Sequence, residues 1–246
     1  MEVFVMDLDG LLARYEALGE ERDFVAARAL FEQAEAERED PALLNRYGYL
    51  LESHGRNELR QAAALYERAI ELDPAFDKPH YQLISARAGL REPERVVSLY
   101  EQRLAADPTS VREHRFLAQA YLAARDYAKG LAITQAGIAR APDDAALVAA
   151  RGEANAGLGE VEEALADWRW ALKLDPEDIG ALYSTAFLLE HEGRLAESVE
   201  AWEEIIDWNE ARGLTLESVW PKQELARLRR EDRSLAPREG ADDAAG

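Results

Sequence analysis

The 246-residue chain contains no cysteine. Disulfides, zinc–thiolate sites and cysteine nucleophiles are thereby excluded, and a reducing, intracellular setting suits the composition. Lysine is scarce too, present only at Lys78, Lys129, Lys173 and Lys222. No apolar run approaches the roughly 18–20 residues that cross a bilayer, so no membrane insertion is expected. The opening MEVFVMDLDG lacks the basic region and small-residue cleavage site of a secretory signal. The cytoplasm is the expected location. Positive charge is also short: 29 basic against 49 acidic residues leave a net charge of -20. Phosphates must be met by lysine or arginine, so nucleic acid is not an expected partner.

What the chain has is hydrophobic content of 48%, enough for a folded core, and a repeat. Pro74, Pro108, Pro142 and Pro176 stand 34 residues apart without slippage, closing the phrases ERAIELDP, QRLAADP, AGIARAP and RWALKLDP. Apolar residues between them fall at i, i+3/i+4 and i+7, the pattern of helices with one buried face. Proline ends each second helix because it cannot extend it. No strand pattern competes.

The fullest copy runs from Ala145 to Asp178, with Gly152 at a close-packing point, Gly159 in the turn, and Ala164, Trp168 and Ala171 on the second helix. The next, from Ile179 to about Arg212, keeps Ala186, Gly193, Leu195, Trp202 and Ile206. The copy from Val111 keeps Leu117, Ala118, Tyr121, Tyr127, Gly130 and Pro142, and that from Asp77 keeps Leu83, Tyr100 and Pro108. Upstream, Tyr47, Gly48, Leu51 and Gly55 fit a first helix and Ala62, Tyr66, Ala69 and Pro74 a second, if about two extra residues sit in the turn near Arg56–Arg60. Phe24, Ala27, Phe31 and Ala34 fit the second helix of an opening copy.

This pattern resembles the tetratricopeptide repeat. The resemblance implies an all-α chain: a right-handed α-solenoid of stacked antiparallel helix hairpins, about six repeats over residues 8–212. Residues 1–7 are read as an extended lead-in, residues 213–233 as a C-terminal capping helix, and residues 234–246 as a disordered tail. In the cap, Trp220, Leu225 and Leu228 are expected to cover the last hairpin, with Arg227, Arg229, Arg230 and Arg233 facing solvent.

Three chemical motifs compete with this frame. VFVMDLDGLL resembles the first motif of haloacid-dehalogenase-type phosphatases, with Asp7 as nucleophile and Asp9 as acid/base. That chemistry needs a strand tip in an α/β sheet, whereas helical repeats follow at once. The segment is read instead as a lead-in whose aspartate caps the first helix. Gly152, Gly157 and Gly159 lack the strand and the GK[ST] ending of a phosphate loop. His80 and His114 occupy equivalent positions on adjacent first helices, separated by about 8–10 Å, too far to share a metal easily. No cofactor, no metal and no catalytic residue is expected, and the chain is not read as an enzyme.

In the family the first helices line the concave groove that holds the ligand. The outward positions here are Asn45, Arg46 and Tyr49; Lys78, Tyr81, Gln82 and Ser85; and Arg112, Arg115, Phe116 and Gln119. The next copies offer Ala146, Ala149, Ala150 and Glu153, then Tyr183, Ser184, Phe187, Glu190 and His191. Residues 43–142 carry 14 basic and 12 acidic groups, net +2, against net -8 over residues 1–42 and net -14 over residues 143–210. The expected function is a protein–protein interaction scaffold whose groove takes a protein or peptide partner with an acidic or carboxylate-bearing segment. The family's carboxylate clamp is matched in part: Asn45 stands for a lysine, Tyr49 and Gln82 for asparagines, Phe116 for an arginine, and Arg112 alone suits its role. Trp170, at an outer second-helix position, is the candidate for self-association into a homo-oligomer. The alternative functions are a self-assembling structural subunit and a regulatory or adaptor subunit of an enzyme complex.

Overall fold

A computed structural model describes residues 28, 29, 31, 32, 34, 40–52 and 56–231. The lead-in, Asp7 and Asp9, the first half of the opening copy, Arg233 and the tail lie outside them. The described residues form helices and connections, with no strand among them.

The chain divides into two compact units, residues 1–126 and 127–246. The first contains α1 (Pro41–Glu52), α2 (Arg56–Leu72), α3 (Asp77–Gly89), α4 (Pro93–Ala106) and α5 (Val111–Ala123). The second contains α6 (Tyr127–Ile138), α7 (Ala145–Leu158), α8 (Val161–Leu174), α9 (Ile179–His191), α10 (Leu195–Ala211) and α11 (Val219–Glu231). Helices α3, α5, α7 and α9 start at Asp77, Val111, Ala145 and Ile179, where the sequence copies start.

Two of the hairpins, α1–α2 and α7–α8, are built on a contact between a glycine and a ring. On α7, a Cβ added at Gly152 would meet Trp168 of α8 at 2.6 Å, and on α1 a Cβ at Gly48 would meet Tyr66 of α2 at 2.5 Å. The missing side chain is what lets the ring lie against the neighbouring backbone, where Trp168 Nε1 donates to the Ala149 carbonyl at 3.2 Å. Tyr66 and Trp202 are wholly buried, and Trp168 almost so. Further along the same pair, Arg151 donates to both oxygens of the buried Asp167, at 2.5 and 3.0 Å, and Asn155 adds a third bond at 2.9 Å. Residues 149–155 meeting 167–168 across a two-residue turn make α7 and α8 antiparallel.

The connections repeat with the same period. Ser110 accepts from the Glu113 N–H, Asp144 from that of Leu147 and Asp178 from that of Gly180, capping α5, α7 and α9 at positions 34 apart. Within the hairpins a residue one or two places after the first helix is left-handed: Arg91 (φ 63°), Arg125 (φ 59°), Gly159 (φ 84°) and Gly193 (φ 71°). Each is followed by a backbone bond back to the helix, from Glu92, Asp126, Glu160 and Arg194 to residues 87, 121, 155 and 189. That is a Schellman closure, which glycine accepts freely and a β-carbon opposes.

At the ends, the aromatic Phe31 is buried and stacks on Tyr47 at 5.5 Å, as a second helix of an opening copy would. In α11, Leu225 and Leu228 are buried in the second unit's core, but Trp220 keeps 43% of its surface exposed. Two of the cap's arginines are more engaged than expected. Arg227 pairs with Glu190, Glu224 and Glu231, and Arg229 with Glu203.

Left-handed arginine is strained by about 1 kcal/mol or more relative to glycine. Arg91→Gly and Arg125→Gly should therefore each raise the stability measured by urea unfolding by about 0.5–1 kcal/mol, whereas Gly159→Ala should lower it by about 1 kcal/mol.

Candidate functional site

On the first unit, α1, α3 and α5 lie side by side and present the residues singled out from the sequence. Tyr49 is 66% exposed and Tyr81 37%. Arg46, Lys78 and Ser85 are also exposed, while Gln82, Arg112, Arg115 and Gln119 are half-buried. Two of the expected ligand contacts are not on the surface. Asn45 is buried at 3% exposure and Phe116 is fully buried, so neither reaches a ligand directly.

Phe116 instead supports its neighbours. Its ring stacks on His80 at 4.3 Å with 7° between planes, meets Tyr81 edge-on at 5.1 Å and packs against Tyr100 at 5.4 Å. The Arg112 guanidinium lies over it at 5.1 Å, a cation–π contact that fixes the plane of the arginine. Arg112 Nε donates to Asp77 at 2.5 Å, so the charge at the centre of the face is partly neutralised within the unit. The adjacent Nη2 is buried and has no acceptor, and Gln82 Oε1 is buried and has no donor. Asn45 Oδ1 is in the same condition. Buried polar atoms are rarely left unsatisfied, and on this unit the Tyr66 hydroxyl of α2 and Arg87 Nε of α3 are unmet as well.

His80 sets the floor of this region. It is wholly buried, its Nδ1 bonded to the Tyr100 hydroxyl at 3.0 Å and its Nε2 to the Pro74 carbonyl at 3.2 Å. Since a carbonyl only accepts, Nε2 carries the proton and Nδ1 accepts from Tyr100. Burial, and then the charges of Arg103 and Arg112, push its pKa down to about 4. The imidazole is therefore a neutral packing and hydrogen-bonding group. His114 bonds to the Ser110 carbonyl at 2.7 Å, and no cluster suited to a metal occurs among the described residues.

On the second unit, the equivalent positions give small residues on α7 and aromatics on α9. Ala150 is buried, Glu153 is exposed on α7, Tyr183 is half-buried on α9, and Phe187 is 48% exposed. Trp170 of α8 is 52% exposed on the opposite, second-helix side. Trp220, expected only to cover the last hairpin, joins Tyr183 and Phe187 in the structure.

Solved structures with this arrangement of helices are tetratricopeptide repeat proteins. A thermophilic one from Thermus thermophilus is 20% identical with a TM-score of 0.59, covering 76% of this chain and 98% of that one. One from Parabacteroides merdae is 15% identical with a TM-score of 0.52, covering 94% of both chains. Yeast Tom70 is 16% identical with a TM-score of 0.63, covering 92% of this chain and 47% of its own. No protein-family model and no curated protein matches the sequence. The fold is thus that of a tetratricopeptide-type helical repeat protein.

The His80 shift has a sign that can be checked. An unfolded histidine takes up its proton near pH 6.5 and the folded one only near 4, so the unfolded state binds the extra proton between these values. The stability present above pH 6.5 is lost as pH falls towards 4. Between pH 7 and pH 4.5, wild-type protein should lose about 2–3 kcal/mol more than His80→Gln in urea unfolding.

Proposed function

We propose that the chain is a protein-binding scaffold rather than an enzyme, and that the first-helix face of the first unit receives an extended segment carrying carboxylates. The observation that carries this is Arg112. Its guanidinium is held by Asp77 on one edge and by the Phe116 ring beneath, while the side chain as a whole keeps 27% of its surface exposed. Such a group is a pre-oriented donor, so little side-chain entropy is lost when a ligand oxygen arrives. Around it, Lys78 and Arg46 add charge, the half-buried Gln82 adds an amide, and Tyr49 and Tyr81 offer exposed rings to apolar side chains. Within the first unit, residues 43–126 carry 12 basic and 12 acidic groups, net 0, in a chain of net -20, so an acidic segment is repelled less here than by the strongly acidic segments.

The test is fluorescence anisotropy with an end-blocked hexapeptide of alternating glutamate and leucine, against the glutamine version. Binding should favour the glutamate peptide, weaken with salt, and fall about tenfold or more in Arg112→Gln with Arg115→Gln, as expected for lost charged hydrogen bonds. Unchanged binding by a folded double variant would place the ligand elsewhere.

A second reading concerns Trp170. A half-exposed tryptophan on an outer helix is an unusual apolar feature, and we assign it to self-association of this chain. In sedimentation velocity across a concentration series, wild type should shift to a larger species and Trp170→Ala should not; an identical profile for both removes this role.

A further inference from the structure

Four rings of the second unit converge where α9, α10 and α11 meet. Trp202 is wholly buried and Trp220 stands edge-on to it at 5.2 Å. Tyr183 stacks on Trp220 at 5.8 Å, and Phe187 meets Trp202 at 5.3 Å and Trp220 at 5.8 Å. The cluster is not closed over: Phe187 is 48% and Trp220 43% exposed, and the Trp202 indole N–H has no acceptor. Aromatic faces open to solvent attract cations electrostatically, most strongly for tryptophan.

The surroundings favour the same sign of ligand. Residues 143–210 carry 4 basic and 18 acidic groups. Several basic side chains near the cluster are already paired: Arg227 with Glu190, Glu224 and Glu231, Arg229 with Glu203, and Lys222 with Glu210. Glu153 is different. It sits on α7, which touches α9, at the position one 34-residue period before Phe187, and has no cation beside it among the described residues. The charge it does feel is that of Asp178, the residue capping α9, less than two turns from Tyr183.

We propose that Glu153, Tyr183, Phe187 and Trp220 form a receptor for a cationic side chain, lysine or arginine, of a partner peptide. The carboxylate takes the charge, the open ring faces take the cation's edge and its alkyl stem, and the small side chains of Ala146 and Ala149 leave room for the chain beside α9. This site goes beyond the acidic-segment reading: it lies on different residues and selects the opposite charge.

The probe is an end-blocked hexapeptide of alternating lysine and alanine, with a norleucine version as control, titrated at pH 8 and followed by calorimetry and tryptophan emission. The lysine peptide should bind and shift the emission, and the norleucine peptide should not. Binding should weaken about tenfold in Glu153→Gln and in Phe187→Leu, while Glu200→Gln, an exposed acid of α10, changes it less than twofold. Trp220→Leu should abolish the emission change, and Arg112→Gln with Arg115→Gln should leave lysine-peptide binding intact. Equal losses from Glu153→Gln and Glu200→Gln would reduce the effect to diffuse attraction and overturn the site, as would binding of the norleucine peptide. So would a self-associated species that Phe187→Leu disperses while the lysine peptide fails to bind, which would give the surface to a second copy.

Discussion

In each of the two units one hairpin depends on a contact in which a glycine, with no side chain, faces a ring. Gly152 opposite Trp168 and Gly48 opposite Tyr66 bring two helices closer than any β-carbon at those glycines would permit. The ring then gives up its hydration over a broad face, and apolar burial of this size is worth a few kcal/mol per side chain. A hairpin formed this way still leaves one face apolar, so it must stack on another. The terminal helix α11, with Leu225 and Leu228 buried, covers the face left at the end of the described chain.

Much of this was legible because the turns between helices recur with a fixed period of 34 residues. The prolines, Gly159 and Gly193 marked the turns, and the helices start where the copies were read to start. The two extra residues inferred near Arg56 are visible in the spacing of the contact itself: Gly48 to Tyr66 is two residues longer than Gly152 to Trp168. What was not legible was that Arg91 and Arg125 take the same left-handed conformation as the glycines. Nothing in an arginine announces a positive φ; the Schellman closure around it imposes one.

The candidate ligand face was read less well, for a definite reason. Repeat position says which residues lie on the first helix's outer arc, but not what the neighbouring helix places against them. His80 presents a flat ring parallel to that of Phe116, and Tyr81 and Arg112 cover the rest, so an expected contact residue became part of the core. Asn45 is likewise buried, while its neighbour Arg46 is exposed. The residues left at the surface, Arg46, Tyr49, Lys78, Tyr81 and Ser85, are polar and aromatic. On the second unit, the grouping of Trp220 with Tyr183 and Phe187 depends on where the chain returns after α10, which no local spacing encodes. The two faces therefore differ in charge and in chemistry, although the same helical repeat builds both.

The central claim is that glycine and ring are energetically coupled within a hairpin. A double-mutant cycle on Gly152→Ala and Trp168→Leu, read by urea unfolding, measures this directly. If the contact governs the approach of α7 and α8, Gly152→Ala destabilises by about 1–3 kcal/mol with tryptophan present and is neutral or stabilising with leucine there, giving a coupling of at least about 1 kcal/mol. Additive effects of the two substitutions would contradict the account.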